Sequence, residues 1–238
     1  MKPYRDGLAV LFAMLFPTLA TWVYFVLLHG SEWMRAGYLA SKVIQFGFPL
    51  CWVALVQRGP LWLGLPGCKG LIAGAGFGMF VGAGMIWLYE VQLKSSPYLA
   101  ETSARLWDKL GAAGIDTSAE FLALAVFVAF LHSLLEEYYW RWFVFGQLRR
   151  SVPLIWAILL SSLAFAAHHV ILVAAYMKPE HFWTATVGLS ACVACGGAFW
   201  AWLYHRSGSL CGPWLSHLLV DAALMWIGFD LVRSHLSS

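Results

Sequence analysis

Long apolar runs recur along the chain, separated by short polar breaks. A helix rises about 1.5 Å per residue, so about 20 apolar residues cross the roughly 30 Å hydrocarbon core of a bilayer. Seven runs meet that length: 8–28, 38–56, 71–91, 119–146, 154–176, 183–204 and 210–229. They predict an all-α polytopic membrane protein, a bundle of about seven transmembrane helices. An eighth, half-length or tilted element fits between Tyr98 and Leu110. We read 1–238 as one membrane domain, with spans one to three in 1–92, a polar loop over 93–118 and the last four spans in 119–229.

Local signals refine this outline. Lys2 and Arg5 precede the first run as in a signal peptide, but 8–28 is too long for a signal core and lacks a small-x-small cleavage site, so it reads as a retained span. In the 93–118 loop, Tyr98, Leu106 and Leu110 suggest a short amphipathic helix at the interface, ending near Gly111-Ala112-Ala113-Gly114. This helix is read as a connector rather than a lid. Thr117 and Glu120 have the spacing of a capping box and mark the start of the fourth span. Gly74, Gly78 and Gly82 repeat every fourth residue in the third span, which lets two backbones approach closely. Packing within the bundle is preferred here over a dimer face.

Composition agrees with the pattern. The chain is 61% hydrophobic and 11% charged, against about 25% charged residues in soluble domains. A net charge of +3 gives no reason to invoke nucleic acid. Fourteen Trp suit a protein with many interfacial anchors. With the N-terminus inside, the inner segments hold Lys2, Arg5, Arg58, Lys69, Arg149, Arg150 and Arg206 against one acid, Asp6. The outer segments hold as many bases but far more acids. This favours a cytoplasmic N-terminus in a cell (inner) membrane. Five Cys, mostly inside apolar runs, argue against a disulfide framework, and Cys192 and Cys195 read as small residues facing a neighbouring helix.

Once the loops take their charges, Glu136, Glu137, Arg141 and Asp221 remain within spans, joined by His132, His168, His169 and His217. Such residues are costly in lipid and usually face the bundle interior and serve function. Glu137 and Arg141, four apart, share a helix face and can pair. Glu136 lies about 100° around the helix without that partner, a desolvated carboxyl of the kind a general base requires. The imidazoles of His168 and His169 point about 100° apart, so at most one meets a given partner squarely. His217 and Asp221 lie one turn apart, where Asp221 can orient the imidazole, share a metal or stabilise a transition state.

In order along the chain, Glu136-Glu137 to Arg141, Phe165 to His169 and His217 to Asp221 resemble three motifs of the CAAX-protease and bacteriocin-processing family of intramembrane endopeptidases. The Ser161-Ser162-Leu163-Ala164 and Gly208-Ser209-Leu210 segments look like the family too, and the resemblance spans about 118–229. It implies hydrolysis of a peptide bond in a membrane-anchored protein or peptide. Glu136 and His169 would activate water, Glu137 and Arg141 would support the site, and His217 with Asp221 would stabilise the oxyanion. His132, His168 and Phe165 would line the cavity. Many relatives have Asn at the place of Asp221, so Asp221 would act protonated, orient His217 or help bind a metal. No cofactor is required on this reading, although Glu136, His169 and His217 offer a zinc set with an open position.

Other classes compete. A non-enzymatic immunity or scaffold protein would work without Glu136. A proton-coupled transporter would also use intramembrane Glu and His, but the halves show no inverted repeat or paired broken helices. A bis-histidine haem protein would leave the paired glutamates without a task.

Overall fold

The computed structural model describes residues 2–28, 30–61, 70–96, 99 and 101–237, with the side chains of residues 2–4 set aside. Cys68, Lys69 and Tyr98 lie outside the described residues. Among the described residues, seven helices are long and apolar enough to cross a membrane: α1 (Arg5–Leu27), α2 (Met34–Gln57), α3 (Leu71–Leu93), α5 (Ser118–Leu148), α6 (Leu154–Ala174), α7 (Pro179–Ser207) and α8 (Cys211–Val232). The short α4 (Thr102–Ala113) lies between α3 and α5. The chain is thus an all-α polytopic membrane protein, as the apolar runs predict.

α4 is the amphipathic element expected in the polar loop, closed by Gly114 in the left-handed conformation. It is tied to the ends of other helices. Ser103 Oγ donates to the Leu231 carbonyl at 2.6 Å, Arg105 donates to the Met177 carbonyl at 3.3 Å, and Lys178 pairs with Glu101 at 2.9 Å. That pairing raises the pKa of the Lys178 ammonium and lowers that of the Glu101 carboxyl. The capping box that opens α5 is complete. Glu120 N–H donates to Thr117 Oγ1 at 3.2 Å, and Thr117 N–H donates to Glu120 Oε2 at 2.9 Å.

The glycine stripe of α3 lies against α8, so it serves contact inside the bundle. A Cβ at Gly78 would sit 2.8 Å from the Ser216 carbonyl oxygen, and one at Gly82 would sit 3.3 Å from Ala223 Cβ. At its far end α3 is clasped to α8 by Tyr89 Oη, which donates to Asp230 at 2.6 Å, and by Lys94, 2.8 Å from the same carboxylate. Since Ser216 precedes His217, this contact sets the position of a candidate site residue.

α1 and α2 are fixed to α5 by its tyrosines. Tyr139 Oη donates to the Ala13 carbonyl at 2.7 Å and Tyr138 Oη to that of Phe46 at 3.2 Å. Gln57 and Gln147 exchange amide hydrogen bonds of 3.0 and 3.1 Å. Two expectations are corrected. Cys192 and Cys195 are exposed on the bundle surface and do not face a neighbouring helix. Lys42, which the charge count assigns to an outer loop, lies inside α2 and is half-buried.

The α3–α8 contact yields a paired test. Gly78→Ala is expected to lower stability by about 1–3 kcal/mol through overpacking. At Gly76 a Cβ meets nothing within 4 Å, so Gly76→Ala is expected to be neutral or to gain up to about 1 kcal/mol in helix propensity. Thermal unfolding in detergent micelles separates the two.

Candidate active site

The site is assembled on α5, α6 and α8. In α5, Ser133–Glu137 is a short α-helical stretch between two wider π-helical segments, Phe127–His132 and Tyr138–Phe145. Insertions of π geometry into α-helices recur at functional sites. Both glutamates are buried, Glu136 at 3% and Glu137 at 0% exposure.

Glu137 is the more tightly held of the two. Arg141 Nε lies 3.2 Å from its Oε2, and His217 Nδ1 donates to its Oε1 at 2.8 Å. Arg141 is itself buried, its guanidinium 4.7 Å from the Phe165 ring and 5.0 Å from the Trp200 ring, within cation–π range. Arg141 Nη2 reaches the Gly197 carbonyl at 3.5 Å. The same Trp200 stacks on His217 with centroids 4.1 Å apart and donates to Ser216 Oγ at 2.9 Å. Sequence reasoning missed Trp200 because one Trp among many carries no signal of its position.

Glu136 has no such permanent cation beside it. His168 Nε2 lies 3.6 Å from its Oε1, His132 Nε2 3.9 Å from the same oxygen, and His217 Nε2 3.7 Å from Oε2. Ligand atoms of Glu136, His168 and His169 all lie within 4.8 Å of one another. Of the two neighbouring imidazoles of α6, His168 meets Glu136 at 3.6 Å, as helix geometry predicts for only one of them, while His169 stands further off within the 4.8 Å group. Their ring centroids are 4.2 Å apart, and His168 is held by the Trp140 ring, parallel within 4°. His169 Nδ1 is 3.0 Å from the Phe165 carbonyl. A carbonyl only accepts, so Nδ1 carries the proton and Nε2 is left with its lone pair.

Asp221 is half-buried, 3.6 Å from His217 Nε2. The closer partner of His217 is Glu137, so the imidazole spans two glutamates on one helix and an aspartate on its own. Glu136, Glu137, Arg141, His132, His168, His169, His217, Asp221 and Phe165 thus converge on one buried cluster. The zinc set read from the sequence changes in one member: His168, rather than His217, groups with Glu136 and His169.

The order and convergence of these groups can be set beside known proteins. Residues 118–223 match the family of Rce1-like type II CAAX prenyl endopeptidases. This confirms the resemblance to the CAAX-protease family over the helices that carry the site, up to and including Asp221. The Rce1-like family is one of proteases, so the match supports a protease. No curated protein and no solved structure matches the chain.

Breaking a buried ion pair by removing one partner typically costs about 3–5 kcal/mol, because the other charge is stranded. Arg141→Ala is therefore expected to lower the melting temperature in detergent markedly. The double variant Glu137→Gln/Arg141→Met leaves no stranded charge and is expected to regain much of the loss. Equal melting of wild type and Arg141→Ala would show that the pair is not needed.

Proposed function

We propose that the chain is an intramembrane endopeptidase that cleaves a membrane-anchored peptide by means of a water activated at Glu136. One observation carries the reading. Glu136 is buried among imidazoles from three helices, while the neighbouring glutamate is neutralised by Arg141. A carboxylate so placed can take a proton from water, and the nearby His168 and His169 can hold that water in line. With Nδ1–H donated to Glu137, a protonated His217 turns Nε2–H toward the side of Glu136 and Asp221, where a tetrahedral oxyanion would form. A donor preset at that point stabilises the charge as it develops. Asp221 then orients His217 and balances its charge. Glu136 returns its proton to the leaving amine, which completes the hydrolysis.

A divalent ion such as zinc would be held by Glu136, His168 and His169 and would supply Lewis-acid activation. Two His and one Glu are a common catalytic zinc set, and the trio would have to draw in by roughly 1 Å to reach tetrahedral spacing. The free Nε2 of His169, with Nδ1–H on a backbone carbonyl, suits a ligand as well as it suits a hydrogen bond to water. The membrane is read as the cell membrane with the N-terminus cytoplasmic. Prenylated C-termini, as the family's name states, are the first substrates to offer, followed by peptide leaders and sorting tails.

The test uses the protein reconstituted in nanodiscs with an S-farnesylated peptide ending in Cys-aliphatic-aliphatic-Met. Glu136→Gln, His169→Ala and His217→Ala are each expected to reduce cleavage by at least about 100-fold, the scale of lost general-base or oxyanion groups, with membrane insertion intact. Cleavage that survives Glu136→Gln removes the proposed base. Undiminished turnover after exhaustive EDTA treatment is expected for the metal-free route, whereas loss that Zn2+ restores assigns the trio to a metal.

A further inference from the structure

One intramembrane cation takes no part in the hydrolysis just described. Lys42 lies eight residues into α2, about 12 Å along the helix from Met34. An ammonium at that depth is costly and marks function by default. It ion-pairs with no carboxylate among the described residues. Its Nζ donates to Gln45 Oε1 at 3.2 Å and sits 5.6 Å and 5.7 Å from the centroids of the Tyr38 and Phe46 rings.

This contact fixes the amide of Gln45. A lysine ammonium only donates, so the oxygen must face it and the NH2 group must turn elsewhere. Gln45 is 3% exposed, and its Nε2 has no hydrogen-bond partner among the described residues. Buried amide donors are almost always satisfied. Two donors one turn apart, one of them charged, therefore await an acceptor. Their place beside the site follows from their neighbours. Lys42 Nζ stands over the Phe46 ring, and that ring meets the edge of Tyr139, two residues after Glu137, with centroids 6.2 Å apart. Phe46, beside Gln45, accepts the hydrogen bond of Tyr138, the residue after Glu137. Glu136 itself is already met by three imidazoles at 3.6–3.9 Å, so Lys42 is not its nearest counter-charge.

We infer that Lys42 and Gln45 form an anion subsite that receives a carboxylate of the substrate beside the scissile bond. The proposal rests on the endopeptidase reading and names a feature of the substrate. A carboxylate presents two oxygens, one for each donor, and its single charge matches one ammonium. A phosphate would bring more negative charge to a cluster that already holds Glu136, Glu137 and Asp221. The carboxylate is either the C-terminus of the substrate or an acidic side chain.

The test compares three S-farnesylated peptides that differ only at the end: a free C-terminal carboxylate, a C-terminal amide, and a C-terminal amide whose last residue is glutamate. With the full chain in nanodiscs, a carboxylate-bearing peptide is expected to show a KM about tenfold below that of the plain amide, as a charge-assisted contact gives. Which peptide does so identifies the source. Lys42→Met is expected to raise KM for that peptide to the amide's value with little change in kcat. Lys42→Arg retains the preference and Gln45→Met weakens it. The comparison of peptides on the wild type stands even if a variant folds poorly. Equal KM for all three peptides, or a Lys42→Met variant that raises KM for acid and amide alike, overturns the subsite and leaves the protease reading intact. Failure to cleave any of the three overturns both.

Discussion

Two adjacent carboxylates inside a lipid-embedded bundle must each be compensated without water, and the arrangement of the site follows from how differently this is done. Glu137 receives a guanidinium and an imidazole N–H, both at hydrogen-bonding or ion-pair distance. Glu136 receives only imidazoles, each beyond hydrogen-bond range. The first carboxylate thus faces a permanent cation, because Arg141 remains charged at any ordinary pH. The second faces only groups whose charge depends on protonation. Separating the roles of neighbouring acids by environment is the general route to acid–base chemistry with one residue type.

The rest of the bundle serves to hold these groups at their distances. The glycines of α3 allow α8 to approach by the thickness of a side chain, which seats Ser216 and His217. Trp200 of α7 lies under both Arg141 and His217, so one indole braces the two partners of Glu137 together. Trp140 does the same for His168. Tyr138 and Tyr139 tie α1 and α2 to the helix that bears the glutamates. Close packing of this kind resists small shifts, and imidazole–carboxylate spacings near 3.7 Å are sensitive to them.

Much of this was legible in the sequence, for reasons that differ from part to part. The spans were readable because lipid demands continuous apolar length, a signal that needs no partner. The α5 start was readable because Thr117 and Glu120 satisfy each other locally. Glu137 with Arg141, and His217 with Asp221, were readable because helical spacing places them on one face. What helix spacing could not convey was distance between helices. The bond from His217 to Glu137, the approach of both α6 imidazoles to Glu136 and the bracing by Trp200 all depend on tertiary placement. Helix geometry says that at most one of His168 and His169 meets a partner squarely but not which one, and only the fold shows that His168 is the nearer to Glu136. Lys42 was lost to a blurred span boundary: counted as a loop charge, it looked solvated, although it falls inside the apolar run.

That lysine changes the charge balance of the cavity. Arg141 is consumed by Glu137, and the imidazoles supply positive charge only by taking up protons that the hydrolysis also uses. A substrate that enters with a carboxylate would add a further anion next to Glu136 and Asp221, and repulsion in a low-dielectric site is strong. A permanent cation on a separate helix solves this without drawing on the catalytic protons. Lys42 on α2 is such a cation: its Nζ donates to Gln45, and it pairs with no carboxylate among the described residues. On the proposed reading the division is the same as for the two glutamates: fixed charges would hold structure and substrate, and the imidazoles would serve the reaction.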